Sequence, residues 1–227
     1  MSARRLVIAI DGPAGSGKST IAARLAKAFG YINLESGAMY RALALRAIER
    51  AADLDDETTM RELAEQSRIE LIPREDGNSV LLDGQDVSER IREADVTAAA
   101  SRVSVHPAVR RIMVERQRAM GEQGGVVMEG RDIGTVVFPK AEVKVFLDAD
   151  AAVRAERRLL QNAVAANNAQ QVRADLADRD RRDQTRTASP LVAASDAVHI
   201  DSTHKSIDEV VAAIQSLVSD RLRVVSS

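Results

Sequence analysis

Short apolar runs alternate with longer stretches of helical periodicity along this 227-residue chain. Leu6–Ile10, Tyr31–Leu34, Val126–Met128, Val143–Leu147 and Ala197–Ile200 have the length and apolar character of buried strands. Helical patterns fill about 18–29, 38–52, 105–120, 150–166, 171–182 and 206–223 between them. In the first of these, Ile21, Leu25 and Phe29 recur on one face with Ala22 and Ala26 beside them. The last opens on the capping box Ser206-x-x-Glu209 and carries Val210, Ile214, Leu217 and Val218 on one stripe. Strands alternating with helices predict an α/β fold: a parallel sheet flanked by helices, with right-handed crossovers. Ligands are then expected at the carboxyl ends of the strands.

One region breaks the rhythm. Between Arg68 and Arg92, the β-prone runs Ile69–Ile72, Val80–Leu82 and Gln85–Val87 are separated by Asp76-Gly77-Asn78 and Asp83-Gly84. Asp-Gly between short β-prone runs signals hairpins, so residues 68–96 are expected to form a small antiparallel β insert on the acceptor-binding side. Residues 1–67 and 97–227 would then form the core. The Ala163–Gln171 stretch, rich in Ala, Asn and Gln, is expected to loosen or bend a helix.

The first strand runs into Gly12-Pro13-Ala14-Gly15-Ser16-Gly17-Lys18-Ser19, a G-x-x-x-x-G-K-S loop that opens a helix. This is the strand–loop–helix context of a phosphate-binding loop. Its glycines let successive N–H groups curl around phosphate oxygens, and the helix dipole aims positive charge at the same place. Lys18 is expected at the β/γ-phosphates and Ser19 on Mg²⁺. The architecture predicted is therefore a P-loop NTPase-type α/β fold.

Composition narrows the picture. Aromatics make up only 2% of the chain, with no Trp, so stacking platforms for single-stranded nucleic acid are not expected. The net charge of −2 gives no ground for non-specific nucleic-acid binding. Without cysteine there are no disulfides and no thiolate metal sites. No apolar run approaches membrane-spanning length, and Met1–Arg5 leads straight into a strand with no leader-like apolar region, so a cytoplasmic protein is expected. A monomer is expected because no long exposed apolar stripe is evident. The chain has 27 Arg and 5 Lys, and arginine is the better bidentate phosphate clamp.

Three further constellations carry candidate chemistry. Glu35-Ser36-Gly37-Ala38-Met39-Tyr40-Arg41 follows the second strand, with Arg41 in the first turns of a helix, where an anion would be favoured. Val126–Met128 runs into Glu129-Gly130-Arg131-Asp132, placing Glu129 where an acid could hold Mg²⁺ and Arg131 and Asp132 toward the cleft. Finally, Arg154, Arg157, Arg158, Arg173, Arg179, Arg181, Arg182 and Arg186 are interleaved with Asp175, Asp178, Asp180 and Asp183. Interleaved charge usually marks a solvated face, and Arg173 and Arg181 are read that way. The others suit an arginine-bearing helical lid over about 154–186, since phosphoryl transfer spreads negative charge that arginines stabilise.

Together these segments resemble the bacterial cytidylate kinases of the nucleoside-monophosphate kinase family. The likeness runs from Ile8 to about Thr203 through IDGPAGSGKST, ESGAMYRALAL, LLDGQDVSERIR, AASRVSVHPAVR, EGRDIGTVVFPKAEVKVFLDA and RDRRDQTRTASPL. It implies ATP- or dATP-dependent, Mg²⁺-assisted phosphorylation of CMP and dCMP. On that resemblance the loop from Gly12 to Thr20 would hold ATP, with Ser202 and Thr203 near adenine. Ser101, Arg110 and Asp132 would surround cytosine; Arg41, Arg131 and Arg186 would hold the acceptor phosphate with Ser36 nearby; Tyr40, Arg179 and Asp183 would lie at the sugar. Arg157 and Arg158 would close over ATP, and Ser19 and Glu129 would serve Mg²⁺. Two other readings fit less well. A phosphate-loop GTPase switch needs N-K-x-D and D-x-x-G, and neither occurs; a kinase of another small acceptor leaves Ser101, Arg110 and Asp132 without a task.

Overall fold

The computed structural model describes residues 5–74, 77–161 and 169–225. In chain order the first elements are β1 (Val7–Asp11), α1 (Lys18–Phe29), β2 (Ile32–Glu35), α2 (Ser36–Glu49) and α3 (Glu57–Gln66). Then come β3 (Ile69–Arg74), β4 (Gly77–Leu82), β5 (Gln85–Asp86), α4 (Ala94–Val103) and α5 (Pro107–Gly121). The last are β6 (Val126–Gly130), β7 (Val143–Asp148), α6 (Ala151–Gln161), α7 (Ala169–Thr185), β8 (Val198–Asp201) and α8 (Ile207–Val225).

Five of these strands form a parallel sheet in the order β2-β6-β1-β7-β8. Both faces are covered, as parallel sheets require. Ile8, Ile10, Val127, Val145 and Leu147 face one side and pack with Ile21 and Leu25 of α1 and Ile214 and Val218 of α8. Ala9, Leu34, Val126 and Met128 face the other and pack with Val114 of α5 and with Ile133 and Val137. Those last two lie in a wide turn over Ile133–Val137, closed by bonds such as Phe138 N–H to Ile133 O at 2.7 Å.

The insert is the three-stranded antiparallel sheet β3-β4-β5. Asp83 and Gly84 have φ of 51° and 86°. Positive φ at both central residues is the hairpin geometry that Asp-Gly favours. Asp76, named with the other turn signal, lies outside the described residues. The insert has no core of its own: Ile69, Val80, Leu82, Val87 and Ile91 pack into one cluster with Met39 and Leu43 of α2, Met60 of α3, Val96 of α4 and Met113 of α5. Asn78 joins it to the main sheet, donating to Asn33 O at 2.8 Å and accepting from Glu35 N–H at 3.2 Å.

Differences from the expected elements have physical causes. Each main-sheet strand ends one or two residues later than its apolar run, because Asp11, Glu35, Gly130, Asp148 and Asp201 stay in the ladder although they are not apolar. Helices α3 and α4 were not among the expected elements. The first is capped by Asp56, which accepts from Thr58 and Thr59 N–H, and buries only Met60 and Ala64. The second buries mostly small residues, Ala99, Ala100 and Ser101 beside Val96 and Val103. The expected box at α8 forms: Ser206 N–H donates to Glu209 Oε2 at 2.8 Å and Glu209 N–H to Ser206 Oγ at 3.2 Å. Most of the Ala163–Gln171 stretch lies outside the described residues, and Ala169–Gln171 opens α7 as helix.

Met60 is fully buried at the meeting of α3 with the insert and α2. Met60→Ala should cost roughly 2–5 kcal/mol, read as a lower urea midpoint at unchanged m-value.

Candidate active site

The carboxyl ends of β2, β6 and β1 stand side by side, with Glu35 paired to Glu129 and Asp11 to Gly130. The loop after β1 curls beside them. Gly12, Gly15 and Gly17 have φ of 150°, 78° and 95°, and a Cβ on Gly12 would stand 2.0 Å from Leu147 O. Only glycine meets both demands there. Gly17 caps α1, whose first turn carries no acidic side chain, so its amides point at unclaimed space. Lys18 folds back over the loop, Nζ donating to Pro13 O at 2.6 Å and to Ser16 Oγ at 3.3 Å. Burial, reinforced by nearby Arg131 against the pull of Glu129, lowers its ammonium to about 7. An anion in the loop would relieve that penalty.

Ser19 Oγ donates to Glu129 Oε1 at 2.8 Å at the mouth of the loop. Ser36 Oγ donates to Glu129 O at 2.8 Å, which ties the start of α2 to β6. Asp11 is buried and accepts from Ile133 and Gly134 N–H, both at 2.7 Å. This locks the turn after Asp132 to the strand that feeds the loop.

Opposite the loop, cations and acids interlock. Arg110 Nη2 donates to Asp132 Oδ2 at 2.5 Å and Nη1 to Ser104 O at 3.1 Å, with its guanidinium 5.4 Å from the centre of the Tyr40 ring. Burial pushes the Tyr40 phenol up to about 12, against Arg110. Arg131 Nε donates to Asp183 Oδ2 at 2.9 Å. Arg186 Nε donates to Ser189 O at 2.6 Å, with Nη1 3.5 Å from Asp183 Oδ1. Burial opposes the charge on Asp183, but Arg131, Arg179 and Arg186 outweigh it and hold its carboxyl below the usual range. Arg41 Nη2 donates to Glu35 Oε1 at 2.6 Å, and Arg41 and Arg92 likewise overcome burial to keep Glu35 ionised. Arg179 is different: burial, then Arg131, lowers its guanidinium to about 10. Burial and then Arg41 also lower Arg158. Arg41 Nε, Arg110 Nε and Arg186 Nη2 are buried donors that make no hydrogen bond, although Arg186 Nη2 stands 3.8 Å from Asp132 Oδ1.

The loop and most of these groups line one open cleft. A family model for cytidylate kinase matches residues 8–220 of this chain. The chain belongs to the cytidylate kinase family. The cytidylate kinase of Geobacillus kaustophilus (strain HTA426) is 48% identical over 221 residues, which cover 96% of this chain and 99% of its own. Those of Enterococcus faecalis (strain ATCC 700802 / V583) and Solibacter usitatus (strain Ellin6076) are also 48% identical. They cover 96% of this chain each, and 97% and 94% of their own lengths.

In this family member the fold gathers most of the sequence-derived candidates into the cleft. Ala14, Gly15, Gly17, Lys18, Ser19 and Thr20 line it from the loop; Ser36, Tyr40, Arg41, Ser101, Arg110, Glu129, Arg131, Asp132, Arg158, Arg179, Asp183 and Arg186 line the rest. Gly12, Pro13 and Ser16 of the loop are buried and do not line the cleft. Arg157, Ser202 and Thr203 also stand outside the cleft. Arg157 Nη1 donates to Ser202 Oγ at 3.0 Å and Nη2 to Ser202 O at 2.7 Å, while Ser202 Oγ donates to Ser16 O at 3.3 Å. Thr203 Oγ1 donates to Asp201 Oδ1 at 2.6 Å.

Sequence reasoning gave no role to Glu35, which holds Arg41, or to Asp11, and placed Arg182 only among the lid arginines, whereas its Nε donates to Ser101 Oγ at 3.0 Å. For the two acids a signal existed: each is the last residue of an expected strand run, or the next one, at the ligand end of the sheet.

Burial, opposed by the Gly134 and Ile133 amides, raises the Asp11 carboxyl from 3.8 to about 6. Its native pKa lies above its unfolded value, so the stability it contributes is full below about pH 4 and lost as pH rises through 6. Asp11→Asn cannot ionise. The unfolding free energy of the wild type relative to this variant should therefore fall by roughly 2–3 kcal/mol between acid and neutral pH. Urea melts across that range read the difference directly.

Proposed function

We propose that this protein transfers the γ-phosphoryl group of ATP to CMP and dCMP, giving CDP and dCDP with ADP released. The observation that carries this reading is a phosphate loop facing, across one cleft, an arginine ring built around Asp132 and Asp183 in a cytidylate kinase family member. The two halves suit two anionic substrates held end to end.

The attacking atom would be an oxygen of the acceptor phosphate, already anionic near neutrality, so no strong general base is needed. It forms a bond to the γ-phosphorus as the bond to the β–γ bridging oxygen breaks. The protein's task is to hold both anions in line and neutralise them. Lys18 and the loop from Gly12 to Thr20 would serve the triphosphate, with Arg157 and Arg158 on the lid side and Ser202 and Thr203 toward adenine. Arg41, Arg131 and Arg186, with Ser36, would take the acceptor phosphate, and Tyr40, Arg179 and Asp183 the sugar. Arg41 Nε and Arg186 Nη2, which make no hydrogen bond within the protein, are donors available to it.

The residues at the loop mouth fit Mg²⁺. One hydroxyl and one carboxylate, Ser19 and Glu129, stand 2.8 Å apart there. Among the described residues no group of three His, Cys, Asp or Glu forms a cage. Mg²⁺ beside nucleotide phosphates takes few protein ligands and keeps several waters. When bound, it neutralises charge on the β- and γ-oxygens.

Base choice would rest on Asp132, Ser101 and Arg110. Cytosine offers an exocyclic amine to the carboxylate and hydroxyl, and an acceptor edge to an arginine. Uracil turns a carbonyl toward Asp132 and leaves buried polar groups unpaired, which a site of this kind rejects. We assign residues 68–96 to the acceptor side and about 154–186 to a lid that excludes water.

A coupled ADP-release assay across CMP, dCMP, UMP and AMP tests the reading. Turnover should be fast with the two cytidine nucleotides and weak with the others; equal turnover with AMP would refute it. Lys18→Ala and Arg186→Ala should each lower kcat by about 10²-fold or more, measured in the same assay.

A further inference from the structure

A loop that turns its N–H groups inward to cradle phosphate turns carbonyls outward, and buried outward carbonyls need donors. Two of those donors come from α6. Arg154 Nη1 donates to Ala14 O at 3.0 Å, and Arg157 Nη1 reaches Ser16 O at 3.5 Å. Arg154 is itself fixed, with Nε donating to Ala149 O at 2.9 Å and Nη1 paired to Asp180 of α7. Asp180 completes the circuit by accepting from Ala14 N–H at 3.4 Å. One ion pair therefore grips both backbone groups of a single loop residue. Arg154 and Asp180 are each 9% exposed, and neither lines the cleft. Contact continues at the next residue, where a Cβ on Gly15 would stand 2.9 Å from Arg154 O.

We propose that Arg154 and Asp180 are positioning residues: their ion pair presets the phosphate loop for the donor triphosphate and ties the ends of α6 and α7 to it. This rests on the reading of the loop as the triphosphate site. The argument is entropic. Glycine gives the loop access to its left-handed turns but does not select them. Without an outside clamp, the nucleotide must order the loop as it binds and loses that free energy from its affinity. The loss falls chiefly on the triphosphate: the clamp grips Ala14 of the loop, whereas Arg41, Arg110 and Arg131 of the ring stand on α2, α5 and the end of β6, and only Arg179 and Asp183 share α7 with Asp180.

The test compares wild type with Arg154→Met, which keeps the apolar stem, with Arg154→Lys, and with Arg154→Met/Asp180→Asn, which leaves no buried charge unpaired. Calorimetry with a nonhydrolysable ATP analogue and Mg²⁺ gives Kd, and steady-state assays give KM for each substrate. Arg154→Met and the double variant should raise Kd for the analogue and KM for ATP about 10-fold or more, with KM for CMP within about twofold, and Arg154→Lys should recover part of the loss. Equal rises in both KM values, or a lower Tm with Kd unchanged, would overturn the proposal. If wild type binds the analogue and the variants bind it as tightly, this inference alone fails. If wild type does not bind it, the reading of the loop fails, and the inference with it.

Discussion

Positive charge without enough negative charge to match it is the constraint on which the site depends. Seven cationic side chains line the cleft against four acidic ones, in a chain whose net charge is −2. Desolvation alone would disfavour such a gathering, and its cost is visible in the lowered values of Lys18, Arg158 and Arg179. The four acids are used to fix geometry: Glu35 on Arg41, Asp132 on Arg110, Asp183 on Arg131 and Glu129 on Ser19. What remains is a field that only anions can relieve. Binding two phosphorylated substrates therefore removes a strain that folding leaves in place.

The sheet makes this arrangement possible. Parallel strands put all their carboxyl ends at one edge, and the apolar faces on either side hold those ends rigidly. The framework is then extended by the antiparallel insert, which shares its core with α2–α5 and reaches back to β2 through Asn78. The phosphate loop and the arginine ring thus stand on one continuous framework.

Much of this was legible in the residues. The five strands, the loop Gly12–Ser19 and the Asp83-Gly84 turn follow from periodicity and backbone freedom, which are local properties. The strand ends were read short because Asp11 and Glu35 look like loop residues until the ladder beside them is known. Helices α3 and α4 escaped because each has only a thin apolar stripe, Met60 with Ala64 and Val96 with Val103, which becomes meaningful only against α5 and α2. The candidate residues of the cleft were found by motif, but their pairings were not. Nothing local to Arg182 points to Ser101, 81 positions away, or joins Arg154 to Ala14, 140 positions away.

Asp11 bonds two amides in the turn that follows Asp132, and it stands in register with Gly130 on the neighbouring strand. The loop after β1 and the turn after β6 are thereby tied to a single inter-strand spacing of about 4.8 Å. Adding or deleting one residue in β1 or β6 would rotate every side chain beyond it to the opposite face. By the same rule a residue added at the Asp83-Gly84 hairpin would leave the register of the cleft intact, whereas one added in either of those two strands would not.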